Sequence, residues 1–252
     1  MITKQQVETL SKDFQIDTFT IIREYLQVLF LSYFYREKES GKIYFKGGTA
    51  IRLLFGSPRF SEDLDFSTTY DKKQIEQIVK KVESKMQKEL PGLQISLLYS
   101  GKNGIRFKVR YQTLFLKYPL TIRLDFTKIK KIEEVVVSPL VTNFPATIFS
   151  LISHFSDKKI LSEKIEALST RNKGRDFFDV WFLLEKGVLF KKEGLDKKDL
   201  LNKITLYPQS KLNQDLAQFL PKSQRKITEM LKEKLENKIV EGFGSPRGEA
   251  GH

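Results

Sequence analysis

Phe19, Ile22, Leu26, Leu29, Phe30 and Tyr33 recur at helical spacing, and the pattern predicts two helical pieces across residues 5–38, the second capped at Asp17-Thr18. Gly41 ends that region. Ile43-Tyr44-Phe45 reads as a short strand entering a turn at Gly47-Gly48. Residues 49–55 then form a predicted helix that opens at the glycines and is broken by Gly56-Ser57-Pro58. Residues 63–67 alternate acidic and apolar positions, as a half-buried strand does. A charged amphipathic helix follows at 71–90, stopped by Pro91-Gly92. Strands are expected at 94–99, 105–111 and 120–126, the first two joined by a turn at Gly101-Lys102-Asn103-Gly104. Beyond Pro145 the spacing turns helical, over 146–153, 158–168 and 175–186, and more weakly over 196–205, 211–219 and 223–239.

This order predicts an α+β chain, a mixed sheet with helices on it followed by a helical region. The shift near Ser138-Pro139 and Asn143-Phe144-Pro145 sets the expected boundary, giving domains at 1–142 and 143–241. Residues 242–252 are Gly-rich without apolar periodicity and read as a disordered tail.

Composition narrows the chemistry. The 252 residues are 40% hydrophobic and include 20 Phe, enough for a packed core. The absence of cysteine excludes disulfides, zinc–thiolate sites and cysteine nucleophiles, and two histidines cannot build a histidine-rich centre, so a metal would need oxygen ligands. No secretory leader or membrane-spanning run is legible, and a cytoplasmic protein is expected. A net charge of +13 suits a polyanionic partner such as RNA, or else a Lys-rich solvated surface.

Candidate chemistry concentrates in Lys46-Gly47-Gly48-Thr49 and Asp63-Leu64-Asp65-Phe66. Paired glycines let backbone amides approach phosphate oxygens. Aspartates at i and i+2 of a strand share a face, and with no cation adjacent in sequence they repel each other unless a divalent metal joins them. Asp125, in Arg123-Leu124-Asp125-Phe126, repeats the alternation. Either it joins Asp63 and Asp65 around two metals, or it pairs with a nearby Lys or Arg. Arg59 could bind phosphate or hold Glu62. His154 sits alone at the end of a predicted helix and reads as structural. Lys164, on a predicted helix, could meet a phosphate, although the chain has many surface lysines. Asp176 suits a helix-start acid, with Asp179 on the same helical face.

The segments 45–53 and 59–66, together with Leu161-Ser162-Glu163-Lys164 and Arg175-Asp176-Phe177-Phe178-Asp179, resemble the AbiEii nucleotidyltransferases, toxins of type IV toxin–antitoxin and abortive-infection systems within the DNA polymerase β-like superfamily. The resemblance covers about residues 43–186. It implies a two-lobed nucleotidyltransferase fold, with a sheet-bearing N-terminal lobe and a helical C-terminal lobe. It also implies Mg²⁺-dependent transfer of a nucleotide from an NTP to an acceptor hydroxyl, in several members a tRNA 3′ end. A cognate antitoxin would be a further partner. By motif, Gly48 and Thr49 would contact the triphosphate, with Gly47 beside them as a further nucleotide-binding candidate; Asp63 and Asp65 would bind the metal, and Lys164 would contact phosphate. The acid of the last motif is Asp176 or Asp179. The alternatives are a non-catalytic basic RNA- or partner-binding module, and a transferase acting on a small molecule or protein.

Overall fold

The structure is a computed structural model describing residues 2–113, 116–144, 150–171, 173–190 and 194–244. The chain divides into two compact units, Met1–Ser156 and Asp157–His252. None of the described helices is long and apolar enough to cross a membrane.

The first unit begins with α1 (Lys4–Asp13) and α2 (Thr18–Phe34), capped respectively by Thr3 and Asp17. The Asp17 carboxylate accepts from the Thr20 amide at 2.9 Å, supplying one of the partners a helix start lacks. β1 (Ile43–Lys46) runs into α3 (Gly47–Phe55), which closes on Gly56 in the left-handed conformation. β2 (Leu64–Thr68), α4 (Lys72–Glu89), β3 (Gln94–Gly101), β4 (Gly104–Tyr111) and β5 (Leu120–Lys128) follow, then β6 (Val135–Pro139) and β7 (Leu151–Phe155). They form a seven-stranded mixed sheet in the order β3-β4-β5-β2-β1-β7-β6. β2 lies parallel to β5 and antiparallel to β1.

Strand alternation divides the central sheet into two faces. Phe45, Leu64, Phe66, Phe107, Leu124 and Phe126 are all buried on one face. Phe66 stacks on Phe126 at 4.8 Å, and Phe34 of α2 packs on both at 5.3 and 5.9 Å. Burying each such ring contributes roughly 1.5–3 kcal/mol. This apolar layer fixes the strands, and the opposite face is left to carry charge.

Two expectations are corrected here. Residues 151–153 form β7, not the end of a helix; 145–149 lie outside the described residues. His154 accordingly sits in a strand, buried, with Nε2 2.9 Å from the Ser138 hydroxyl. β6 and β7 place residues up to Ser156 in the first unit, past the boundary expected at 142/143.

The second unit consists of α5 (Asp157–Thr170), α6 (Gly174–Glu185), α7 (Lys197–Leu206), α8 (Gln209–Ala217) and α9 (Ile227–Gly244). Of the expected tail, residues 242–244 continue α9, and 245–252 lie outside the described residues.

Candidate active site

β1 delivers the chain to the glycine bend with a single change of conformation. Lys46 is extended, and Gly47 follows at φ +81°, in the region that L side chains avoid. A Cβ at Gly47 would stand 2.3 Å from Oδ2 of Asp65. The bend therefore lies directly against that carboxylate. A Cβ at Gly48 would come within 2.5 Å of Nη2 of Arg59. Arg59 is only 2% exposed and donates to the Phe60 carbonyl at 2.9 Å, so it braces the bend from inside. Arg23 donates to Glu62 at 3.3 Å, so that carboxylate also ties α2 to the segment entering β2. Thr49 is buried as well, and its hydroxyl donates to the Asp63 carbonyl at 2.5 Å. That bond ties the first turn of α3 to the start of β2.

Register assembles the charged face. Arg106, Asp125, Asp65 and Lys46 occupy successive partner positions across β4, β5, β2 and β1. Asp65 and Asp125 thus stand side by side on parallel strands, flanked on either side by a cation. Arg106 binds Asp125 at 2.7 Å. One position before Leu64, Asp63 receives both Nε and Nη2 of Arg123, at 3.1 and 2.5 Å. Asp63 raises Arg123 above the ordinary guanidinium range, mainly through this hydrogen bond.

The structure therefore brings Asp65 and Asp125 together and holds Asp63 in an arginine fork. Among the described residues, no three His, Asp or Glu side chains converge as a preformed metal-holding group. The donor chemistry nevertheless fits a hard cation. Three carboxylates and no nitrogen or sulfur ligand suit Mg²⁺. Two of these acids are neutralised by arginines whose side chains are 40% and 52% exposed. A cation that displaced them would meet the same oxygens.

An arginine on Asp125 is one of the two alternatives the sequence left open, and it is Arg106; Arg123 as the partner of Asp63 was not anticipated. For Arg123 a signal was present, because it lies two residues from Asp125 and so on the same face of β5. Arg106 belongs to a different strand and is joined to Asp125 only by register.

In the second unit, Lys164 projects from α5 toward α6. Its ammonium lies 2.7 Å from Asp179 and 3.4 Å from Asp176. Both acids are buried, at 0% and 1% exposure, and Arg171 binds Asp176 through Nε and Nη2 at 2.7 and 2.8 Å. The two acids of the last motif thus share one lysine. A further acid, Asp215 of α8, accepts from the Gly174 amide at 2.7 Å and from the Tyr207 hydroxyl at 2.8 Å, fixing the start of α6. Nothing in the local sequence pointed to it.

A sequence model of the nucleotidyl transferase AbiEii toxins of type IV toxin–antitoxin systems matches residues 29–241. The chain belongs to the AbiEii nucleotidyltransferase toxin family. Its fold is similar to that of MenT4, a nucleotidyltransferase toxin of Mycobacterium tuberculosis H37Rv, with a TM-score of 0.60, 13% identity, and 98% of this chain and 91% of that one covered. It is also similar to JHP933 of Helicobacter pylori, with a TM-score of 0.53, 19% identity and coverage of 90% and 95%. No curated protein matches the sequence.

Proposed function

We propose that this AbiEii-family protein transfers a nucleotide from an NTP to the 3′-terminal hydroxyl of an RNA, with tRNA as the acceptor. The acceptor oxygen attacks the α-phosphorus, a new P–O bond forms, and the bond to pyrophosphate breaks. The observation that carries this reading is the placement of Asp65 directly against the Gly47 bend, with Asp125 as its register partner on the parallel strand.

Each part has an assigned role in this proposal. Gly47 and Gly48 admit the triphosphate close to the backbone, with the start of α3 presenting amides toward its negative charge. Asp63, Asp65 and Asp125 would hold Mg²⁺, which when bound neutralises phosphate charge and acidifies the acceptor hydroxyl. Asp125 also takes up the proton that the hydroxyl loses. Arg106 and Arg123, released from the acids, are free to meet phosphate oxygens. Lys164, oriented by Asp176 and Asp179, is the phosphate contact of the second unit. Thr49 and Arg59 act by shaping the bend, since both are buried. Positioning and charge neutralisation supply most of the rate. As a type IV toxin, the protein would be held in check in the cytoplasm by a cognate antitoxin.

The test is incubation of the purified protein with Mg²⁺, total tRNA and each labelled NTP in turn. Label should pass to RNA with at least one NTP, and Asp65→Asn should abolish transfer without lowering the melting temperature. Absence of labelled RNA with all four NTPs would overturn the RNA-acceptor reading.

A further inference from the structure

At the end of the sheet where β2 runs out into α4, a cavity of about 320 Å³ opens between the start of α4, the β3–β4 turn and the end of β5. Lys72, Lys73, Lys102 and Lys128 line it, together with the ring of Tyr70. Among the described residues, none of these four ammonium groups has a carboxylate partner. Asp71 is also in the wall, but its carboxylate is committed to capping α4, accepting from the Gln74 amide at 2.9 Å.

That arrangement differs from lysines nearby. Lys81, Lys85 and Lys131 each pair with a glutamate, at Glu39, Glu37 and Glu133. The chain has 31 Asp and Glu, yet among the described residues none pairs with the cavity's ammonium groups. A concave wall carrying one sign of charge concentrates counter-ions. The first turn of an 18-residue helix adds its positive end.

The cavity is separate from the carboxylates of the charged face. Lys128 is the register partner of Thr68, whereas Asp125 is the partner of Asp65. Three residues along a strand is about 10 Å. Occupancy of the cavity therefore does not compete with a nucleotide at the glycine bend. By strand alternation Lys128 lies on the face opposite Asp125, so a chain molecule engages both places by passing round the end of the sheet, where Tyr70 offers a ring on which a base can stack. The net charge of +13 favours the same class of ligand.

We infer that this cavity is a second phosphate site, which holds the sugar–phosphate backbone of the RNA acceptor at a nucleotide upstream of the reacting end. The inference rests on the RNA-acceptor reading above, and its RNA-binding measurement needs neither catalysis nor metal.

Binding of the full chain to labelled tRNA is measured by fluorescence anisotropy across a salt series, without NTP or divalent ions. The triple variant Lys72→Gln, Lys102→Gln, Lys128→Gln should bind at least tenfold more weakly at low salt. Its slope of log K against log[salt] should be shallower by about 1. Stabilisation by ATP with Mn²⁺ should match the parent protein, showing an intact fold and nucleotide site. The single reversal Lys102→Glu, in an exposed turn, should reproduce the direction with minimal risk to folding. Equal affinity and slope in parent and triple variant would overturn the proposal, as would a parent protein with no RNA affinity. Thermal stabilisation of the parent alone by inorganic phosphate, with RNA binding unchanged in the variant, would assign the cavity to a free phosphate compound and also overturn it. An altered salt slope without any ATP effect in either protein would support the cavity and remove the transferase reading.

Discussion

Arg123 competes for the oxygens of Asp63 that the proposed metal needs. Its guanidinium stays charged at any ordinary pH, and Asp63 raises its pKa further, so it leaves only by displacement. Displacement is feasible because the pair is partly exposed, and exposed ion pairs contribute only about 0–1 kcal/mol. Arg123→Gln should therefore raise the affinity for Mn²⁺ alone by about 2–5-fold, as the metal no longer has to displace the fork. Isothermal titration without nucleotide measures this directly. Unchanged affinity would remove Asp63 from the ligand set. The same substitution should weaken NTP binding if the freed guanidinium serves phosphate. The opposing signs for metal and nucleotide distinguish this role from a merely structural one.

The α5–α6 pair poses a different problem, because its charges are buried. Lys164, Asp176, Asp179 and Arg171 form one connected group, and removing the lysine leaves Asp179 buried without its ammonium. Breaking such a pair costs about 3–5 kcal/mol. Lys164→Met should thus lower the urea midpoint of the second unit markedly, and lost activity in that variant alone would say little about phosphate contact. Lys164→Arg keeps a cation and should retain most of the stability; a fall in its transfer rate would then report on the site. A Lys164→Met protein as stable as the parent would show that the ammonium is not what offsets the buried charge of Asp179. This pair also shows what was legible beforehand. Lys164 and the acids were visible as motif residues, and α2, α4, β4 and β5 followed from clean periodicity. β7 was not legible because four of its five residues are buried, so no alternation betrays an interior strand. β6 is exposed on nearly every position, which hides an edge strand equally well. The arginine pairing of Asp125 and the Asp215 cap of α6 depend on register and helix packing between distant segments, which no local pattern encodes.

Across the molecule, several tyrosines resist ionisation, and this sets an alkaline limit on the fold. Burial, with the charge of Glu89 beside it, pushes Tyr25 up to about 12. Tyr35 is raised well above the usual phenol range by burial of its hydroxyl, which lies 2.8 and 2.9 Å from the carbonyl oxygens of Ile43 and Ser153. A phenolate there would face two acceptors and lose the tie between β1 and β7. Burial also raises Tyr207, with Asp215 as its hydrogen-bond partner. In each case the folded pKa exceeds the unfolded value near 10. The folded state then holds more protons than the unfolded one above about pH 10, so stability is full below that pH and declines as it rises toward 12. Discharge of lysines acts in the opposite direction, since it relieves the repulsion of a +13 chain. The two effects separate by mutation. Tyr25→Phe removes one raised phenol and leaves every lysine in place, so its urea midpoint should fall less steeply than the parent's between pH 10 and 11. Identical slopes would mean that Tyr25 ionises as readily in the fold as outside it, and would locate the alkaline limit in the charge balance of the whole surface.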